Sequence, residues 1–170
     1  TAAPTFTGLL NESYGSGAEA AYSTRRLNGN ITECMVIRRA SDSTTQTIGF
    51  DGSGNINEAD IISFCTGTTC TVSEWKDQSG NGNDATAAAQ ANEPTIYTGG
   101  ALVKENGKLA LDFDGSNDGF PLDTTSLDIG SLSSFTTGKF NATSGSGMML
   151  GLSGGGSNKR WYAPYLANTN

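Results

Sequence analysis

The sequence contains no histidine, and this absence excludes several kinds of active site. Ser-His-Asp and Cys-His catalysis both need an imidazole base, and zinc sites with imidazole ligands are excluded for the same reason. Any catalysis in this chain would therefore have to rest on carboxylates, tyrosine or lysine.

Positive charge and long apolar runs are also scarce. The chain has 10 Lys and Arg against 17 Asp and Glu, which gives a net charge of −7. A nucleic-acid surface needs clustered Lys and Arg, so we expect no nucleic-acid partner. No apolar run approaches the roughly 18 residues that a membrane helix needs, so we expect no membrane insertion. The first residues also lack the basic and apolar regions of a signal peptide.

Cysteine is limited to three residues. Cys65 and Cys70 have four residues between them, a spacing that can close a small disulfide loop if the chain turns back. A metal-binding pair would be closer in sequence, and no second pair could complete four thiolates. We therefore favour a disulfide, which predicts an oxidising, extracellular setting. Cys34 is left over and is interpreted as a small buried apolar residue.

Glycine, in contrast, is abundant, with 23 of the 170 residues. The length fits one domain with one core, so residues 1–170 are expected to form a single domain with residues 1–17 as an irregular lead-in. Short apolar stretches between Gly, Asn and Asp favour an all-β fold with polar turns. Because a strand candidate lies next to Asn170, we expect the domain to continue further or to be completed in a homo-oligomeric assembly.

One helix is predicted over residues 55–65 and a second short helix, or an edge segment, over residues 17–27. Asn57 can cap the first of these helices, and acidic residues suit its first turn. The residues expected on its buried side are Ile61, Ile62 and Phe64.

Strands make up most of the other predicted elements, because β-branched and apolar residues dominate those stretches. Asn106-Gly107 predicts a tight hairpin turn, since a type I′ turn needs positive φ at both central residues. Leu109, Leu111 and Phe113 are expected on one face of their strand. Together the elements indicate a β-sandwich. The predicted strands cover residues 34–41, 44–50, 71–76, 94–99, 108–113, 133–140, 147–153 and 159–166.

A polar loop follows the strand at residues 71–76. From Asp77 onward its alternating oxygen-bearing side chains match the first half of an EF-hand calcium loop, but Ala88 stands where the bidentate Glu belongs. A different oxygen cage could hold a structural Ca²⁺, and no other cofactor is expected. We favour a simple turn, in which Asp and Asn cap the chain and Gly supplies positive φ. The candidate calcium ligands are Asp77, Asn81, Asn83 and Asp84.

Aromatic residues could form a platform on which sugar rings stack. Trp75 directly precedes the polar loop, although a tryptophan of the core is the favoured interpretation for it. Trp161 and Tyr162 are neighbours in a predicted strand, so alternation places them on opposite faces and only one can line a given surface.

Four segments together resemble the N-terminal half of the α-L-arabinofuranosidase B family catalytic domain, over about residues 19–115. They are AAYSTRRL, VIRRASDSTTQTI, FCTGTTCTVSEWKDQSGNGNDAT and NGKLALDFDG. The DQSGNGN part alone is similar to concanavalin A-like, laminin-G-like domains of phage and bacterial surface proteins. The resemblance implies a concanavalin A-like β-sandwich of the jelly-roll type, the Cys65–Cys70 disulfide and an ancestry in carbohydrate chemistry.

The same resemblance bears on catalysis. The family's retaining mechanism needs a carboxylate nucleophile and a carboxylic acid across the glycosidic bond. RWYAPYLAN is similar to the family's nucleophile segment but places Tyr162 where the Glu belongs. Met148 and Met149 stand where a vicinal cysteine pair lines the family's sugar site, and the acid would fall beyond Asn170. The resemblance therefore implies the fold and argues against the activity, so no catalytic residue is assigned.

Two functions follow from these patterns. The main hypothesis is a non-catalytic structural or adhesion domain, extracellular or on a virion surface, which could bind a glycan or cell-surface polysaccharide. The alternative is an arabinofuranosidase-like retaining glycoside hydrolase that uses carboxylates beyond residue 170. The candidate ligand-binding residues are Trp75, Asp77, Met148, Met149, Trp161 and Tyr162.

Three asparagines, Asn11, Asn30 and Asn141, match the N-glycosylation sequence Asn-x-Ser/Thr. A chain this rich in Asn, Ser and Thr would produce some matches by chance. The matches matter only in a protein from a eukaryotic source.

Overall fold

The computed structural model describes residues 7–11, 17–122 and 133–139, together with the backbone of the strands Gly147–Ser153 and Arg160–Leu166. The chain divides into two compact units, Thr1–Leu122 and Asp123–Asn170. The expectation of one domain over residues 1–170 stays a prediction, and most of the expected lead-in lies outside the described residues.

A six-stranded antiparallel sheet occupies the centre of the first unit. Its strands follow the order β2-β1-β3-β5-β6, and β4 also pairs with β3. Every pairing in this sheet is antiparallel. Antiparallel strands can be joined by short loops, whereas parallel strands need longer crossovers. The strands are β1 Glu33–Arg39, β2 Thr45–Gly49, β3 Cys70–Trp75, β4 Ala85–Thr86, β5 Thr95–Thr98 and β6 Ala101–Leu102.

Two smaller antiparallel pairs complete the described strands. β7 Lys104–Glu105 and β8 Lys108–Leu109 flank the predicted turn, where Asn106 and Gly107 have φ of 49° and 75°. The hairpin prediction is therefore confirmed. In the second unit, β9 Gly147–Ser153 pairs with β10 Arg160–Leu166.

Most predicted strands are confirmed within a residue or two at each end, but two are corrected. Residues 133–139 form no strand, and Phe135 is 94% exposed. Local β propensity does not suffice there, because a strand also needs a neighbour for its backbone groups and burial for one face. Residues 108–113 begin as β8, but the chain then continues as an isolated bridge between Asp112 and Thr95.

The face predicted for residues 108–113 is also corrected in part. Leu109 is buried and Leu111 packs against the core, whereas Phe113 is 45% exposed. Because the regular strand ends at Leu109, the alternation that would have carried Phe113 inward is not maintained.

The helix α1, Glu58–Cys65, confirms the predicted helix, and Asn57 caps it by accepting a hydrogen bond from Asp60 N–H. Ile61 and Cys65 are fully buried, but Ile62 is 45% exposed, which corrects the predicted buried side. Positions i, i+3 and i+4 share one face of a helix, and here they are Ile61, Phe64 and Cys65. Residues 17–27 form no second helix; they are irregular, with one bridge from Arg25 to Asn55.

Both faces of β1 are covered. Met35 and Ile37 alternate with Cys34, and all three side chains are fully buried. The helix contacts β1, β2, β5 and β6, and Cys34 Sγ lies 3.3 Å from Ser23 O in the segment before β1.

The fold is thus mostly β with one α-helix, as the sequence predicts, while the sandwich arrangement remains a proposal. Among the described residues no helix is long and apolar enough to cross a bilayer.

An irregularity in β3 directs the chain toward the polar loop. Val36 pairs with Glu74 and the next residue, Ile37, pairs with Val72, so Ser73 is the extra residue of a β-bulge. Its hydroxyl donates a hydrogen bond of 3.1 Å to Val36 O. The bulge changes which side chains face each side of the sheet just before Trp75.

Candidate functional site

The polar loop, residues 77–84, starts one residue after the end of β3 and is organised by the carboxylate of Asp77. This side chain is only 4% exposed. Its Oδ1 accepts hydrogen bonds from the N–H groups of Ala21 and Ser79, both at 2.8 Å. Its Oδ2 accepts from Ser79 Oγ at 2.6 Å and Asn83 N–H at 3.1 Å. Four donors thus surround one carboxylate, so the negative charge is stabilised without burial of an unpaired ion.

Gln78 joins the polar loop to the segment that precedes β1. It is fully buried. Its Nε2 donates to Ser23 O at 2.8 Å and Arg25 O at 3.1 Å, and its Oε1 accepts from Leu27 N–H at 2.7 Å. A segment without secondary structure keeps its backbone hydrogen-bonded in this way, which a buried chain requires.

Two asparagines of the loop extend the same contact. Asn81 Nδ2 donates to the carbonyl oxygens of Ala18 and Glu19, and Asn83 Nδ2 donates to Glu19 O at 2.7 Å. Gly80 and Gly82 have φ of 94° and 77°, values that other residues rarely adopt, so the loop can turn these amides toward the segment. Side chains of the loop thus hold residues 18–27 in place.

Three charged side chains form ion pairs where the two ends of the loop meet. Lys76 Nζ lies 2.6 Å from Glu74 Oε1 and 2.9 Å from Asp84 Oδ2. Burial by itself raises the pKa of Asp84, but hydrogen bonds from Lys76 and from Asp77 N–H outweigh it and hold that pKa below 3.8. Burial likewise opposes the charge of Lys76, yet its two acidic partners raise its pKa above 10.5. Lys76 and Asp84 therefore stay ionised across the neutral range.

Trp75 lies in a row of four aromatic rings. Its ring centroid is 6.0 Å from that of Tyr22 and 6.3 Å from that of Phe120, which is 6.1 Å from Phe113. The interplanar angles are 54°, 66° and 89°, the tilted and edge-to-face geometry of packed aromatic pairs rather than a shared flat surface. Trp75 Nε1 is buried and has no hydrogen-bond partner among the described residues.

Tyr22 connects this aromatic row to the polar loop. Its hydroxyl donates a hydrogen bond to Asn83 O. Burial, with a smaller effect from the charges of Asp77 and Asp84, raises the pKa of Tyr22 above its ordinary value of 10.0. The phenol therefore keeps its proton and remains a donor.

Two of the predicted ligand-binding residues belong to the first unit. Trp75 and Asp77 lie at the start of the polar loop. The other predicted residues belong to the second unit, where the backbone of Tyr162 pairs with Gly151 and that of Met148 with Tyr165. Their side chains are outside the described part of the molecule. The predicted ligand roles of Trp75, Asp77, Met148, Met149, Trp161 and Tyr162 stay predictions.

The candidate calcium ligands do lie in one loop, but they are already engaged. The oxygens of Asp77 accept four hydrogen bonds, and Asp84 accepts from Asp77 N–H and Lys76. Asn81 and Asn83 direct their amide nitrogens, which are donors, at backbone oxygens. Within the described ranges no group of three or more His, Cys, Asp or Glu is placed to hold a metal ion. The hydrogen bonds are those expected of a turn, and the calcium site remains a prediction.

The role of Gln78 was missed by reasoning from the sequence, although a signal was present. Gly, Asn, Asp and Ser favour turns for their own backbone geometry, whereas Gln does not. A Gln among such residues, directly after a strand, therefore indicates a specific contact. Its partners Ser23, Arg25 and Leu27 have no comparable signal, because they lie more than fifty residues earlier in the chain.

The predicted disulfide and the predicted burial of Cys34 are confirmed. Cys65 and Cys70 form a disulfide with a Cα–Cα distance of 5.8 Å. Cys34 is free and buried, and burial raises the pKa of its thiol to about 12. It therefore acts as a small apolar residue of the core.

Comparison with known proteins identifies relatives of this chain. A family model described as alpha-L-arabinofuranosidase B, catalytic, matches residues 10–112. Alpha-L-arabinofuranosidase B of Emericella nidulans is 39% identical over 59% of this chain and 22% of the relative. An alpha-L-arabinofuranosidase of Hypocrea jecorina is 38% identical over 46% of this chain and 16% of the relative. The crystal structure of an arabinofuranosidase complexed with arabinofuranosyl-alpha-1,2-xylobiose is 33% identical over 46% of this chain and 19% of that one, with a TM-score of 0.42.

The chain thus spans about a fifth of the length of the relatives it matches. The matched proteins are named as arabinofuranosidases, so the comparisons favour the hydrolase alternative and give the phage and adhesion hypothesis no support. The matched range, residues 10–112, includes the disulfide, the polar loop and the segment that the loop holds. Because the family model covers more than half of the sequence, the chain belongs to the alpha-L-arabinofuranosidase B catalytic family.

Proposed function

We propose that the protein is an α-L-arabinofuranosidase-type retaining glycoside hydrolase and that residues 10–112 form part of the frame of its catalytic domain. The observation that supports this most directly is the family match over that range. The identities of 39% and 38% to two arabinofuranosidases agree with it. The substrate class is a glycan with arabinofuranosyl side groups, as in the relative complexed with arabinofuranosyl-xylobiose.

The polar loop supports a structural role for this part of the chain. Asp77 accepts hydrogen bonds from Ala21 N–H and from Ser79 and Asn83 of the loop itself, whereas Gln78 bonds to the backbone of residues 23–27. Both side chains are buried. A buried group whose hydrogen bonds are all made within the protein has none left for a substrate. We therefore assign these residues to the support of the domain rather than to sugar recognition.

Three of the described carboxyl groups are also poorly suited to act as a general acid. Hydrogen bonds from backbone N–H groups hold the pKa of Asp42, Asp51 and Asp114 below the ordinary value of 3.8. A general acid of a glycosidase needs the opposite, a pKa raised toward the working pH. We place the nucleophile and the acid outside residues 10–112, in agreement with carboxylates beyond residue 170.

The complete domain is proposed to be a β-sandwich of the concanavalin A-like type, located outside the cell. The six-stranded antiparallel sheet of the first unit can serve as one of its layers. The Cys65–Cys70 disulfide supports an oxidising, extracellular compartment.

Turnover of 4-nitrophenyl α-L-arabinofuranoside tests the activity, and labelling with a cyclic sulfate inhibitor tests the assignment of the nucleophile. Both compounds have been soaked into arabinofuranosidase crystals of this family. We expect release of nitrophenol and one labelled carboxylate outside residues 10–112, identified by peptide mapping. A label on a carboxylate within residues 10–112 would contradict the frame assignment, and a label on Tyr162 would make that tyrosine the nucleophile. Binding of arabinofuranosyl-xylobiose without turnover would favour the non-catalytic glycan-binding hypothesis.

A further inference from the structure

The turn that leads into β1 is stabilised by hydrogen bonds from neighbouring residues, and its Asn30 side chain is exposed to solvent. Ile31 N–H donates to Asn28 O at 3.1 Å, which closes a β-turn with Asn30 at its third position. Arg26 reaches the turn from the protein side, with Nε 2.7 Å from Ile31 O and Nη2 2.6 Å from Gly29 O. The buried Asn28 accepts from Asn30 N–H at 2.9 Å. The backbone of the turn is thus fixed independently of the Asn30 side chain.

Asn30 and Thr32 are both exposed. No hydrogen bond joins the side-chain amide of Asn30, or the hydroxyl of Thr32, to another residue that the structure describes. Asn30-Ile31-Thr32 is an Asn-x-Thr acceptor sequence without proline at its centre. A bulky addition at Asn30 Nδ2 would therefore displace no described contact.

Asn11, which has the same kind of sequence, is placed differently. Its Oδ1 accepts from Gly8 N–H at 3.1 Å and from Gly29 N–H at 2.5 Å, and its Nδ2 donates to Asn28 Oδ1 at 3.1 Å. This amide is part of the support beneath the turn, so its nitrogen faces the protein. Asn141 lies outside the described residues.

We propose that Asn30 is a site of N-linked glycosylation, with an oligosaccharide on a lipid diphosphate as the donor. In this step a bond forms between Asn30 Nδ2 and C1 of the first sugar, while the bond from C1 to the diphosphate oxygen breaks. One amide proton is lost, and the lipid diphosphate is the leaving group. The reaction takes place in the secretory compartment, where the Cys65–Cys70 disulfide also forms. The glycan would extend from the end of β1 that the turn leaves open to solvent.

This site can be tested in protein secreted from a fungal host. The protein is treated with peptide N-glycosidase in ¹⁸O-labelled water and then mapped by peptide mass spectrometry. The enzyme converts a glycosylated asparagine into an ¹⁸O-labelled aspartate. We expect the label at Asn30 in protein whose Cys65–Cys70 disulfide is intact, which shows passage through the oxidising compartment.

A matched pair of variants at Thr32 keeps the asparagine and changes only the hydroxyl. Thr32→Ala should abolish the label at Asn30, whereas Thr32→Ser should retain it in part, and both should fold because the side chain is exposed without a described partner. An unlabelled Asn30 in secreted, disulfide-bonded protein would overturn the proposal, as would label found only at Asn11 or Asn141. Label that persists at Asn30 in Thr32→Ala would overturn it as well.

Discussion

Replacing Gln78 by alanine removes three hydrogen bonds at once from a fully buried position. The side chain donates to Ser23 O and Arg25 O and accepts from Leu27 N–H, over distances of 2.7 to 3.1 Å. All three partners are backbone groups of a segment without regular secondary structure. No ladder of a strand or helix can replace the bonds that are lost.

The expected loss of stability is about 3–5 kcal/mol, because each buried group that loses its partner costs roughly 1–3 kcal/mol and water entering the space offsets part of the total. This is a large share of the roughly 5–15 kcal/mol by which a domain is usually stable. The segment of residues 18–27 should loosen first, since it loses three of its hydrogen bonds to the polar loop.

Urea denaturation followed by circular dichroism gives the free energy of unfolding of Gln78→Ala, wild type and a control, Gln90→Ala. Gln90 is exposed, and its side chain makes no described hydrogen bond, so its replacement should change stability by less than about 0.5 kcal/mol. Gln78→Glu adds a pH test. Its buried carboxyl would face the two carbonyl oxygens, which raises the folded pKa above the unfolded value near 4.3.

The sign of that pH test follows from proton linkage. Above the unfolded pKa the unfolded state releases its proton first, so stability of Gln78→Glu should fall as the pH rises from about 4 toward the raised folded pKa. The variant should therefore differ least from wild type at acidic pH. A Gln78→Ala protein within about 0.5 kcal/mol of Gln90→Ala would refute the role assigned to Gln78. A Gln78→Glu deficit independent of pH would refute the buried contact with the carbonyl oxygens.

Three further predictions concern the disulfide, the free thiol and the helix cap. The double change Cys65→Ala and Cys70→Ala should lower the free energy of unfolding by about 2 kcal/mol, since the unfolded chain regains the freedom of a short loop; an equal urea midpoint for both proteins would contradict this. Burial raises the pKa of Cys34 to about 12, against 9.0 for an ordinary thiol, so this thiol should resist a thiol reagent at pH 8 until the protein unfolds. The free energy of unfolding should fall between pH 9 and about 12, because only the unfolded thiol ionises there. Rapid reaction of the native protein would contradict the burial of Cys34. Asn57→Ala should cost about 1 kcal/mol through loss of the cap to Asp60 N–H, whereas Asn57→Ser should retain most of it.

Local features were predictable from the sequence because their causes are local. The turn at Asn106-Gly107 needs positive φ at two adjacent residues, and Gly and Asn are the residues that tolerate it. The cap at Asn57 likewise depends on residues within one turn of helix. The exposure of Ile62 and the absence of a strand at residues 133–139 depend instead on what lies opposite, which a short window of sequence does not contain.

The same distinction between local and long-range causes applies to the candidate site. Family-specific residues such as Asp77 were recognisable by their order in the chain, and so was the Cys65–Cys70 disulfide. The partners of Gln78 could not be predicted, because they lie more than fifty residues away in the sequence.

The sequence by itself determined the mostly β fold, the disulfide, the turn chemistry of the polar loop and the resemblance to a family of carbohydrate enzymes. Only the tertiary structure decided what the loop contacts, since residues 18–27 come close to it through long-range folding rather than through proximity in the chain. It also separated Asn30, which faces solvent, from Asn11, whose amide supports a turn. The physical reason is that burial and hydrogen-bond partners are properties of three-dimensional neighbours, and identical short motifs can have different neighbours.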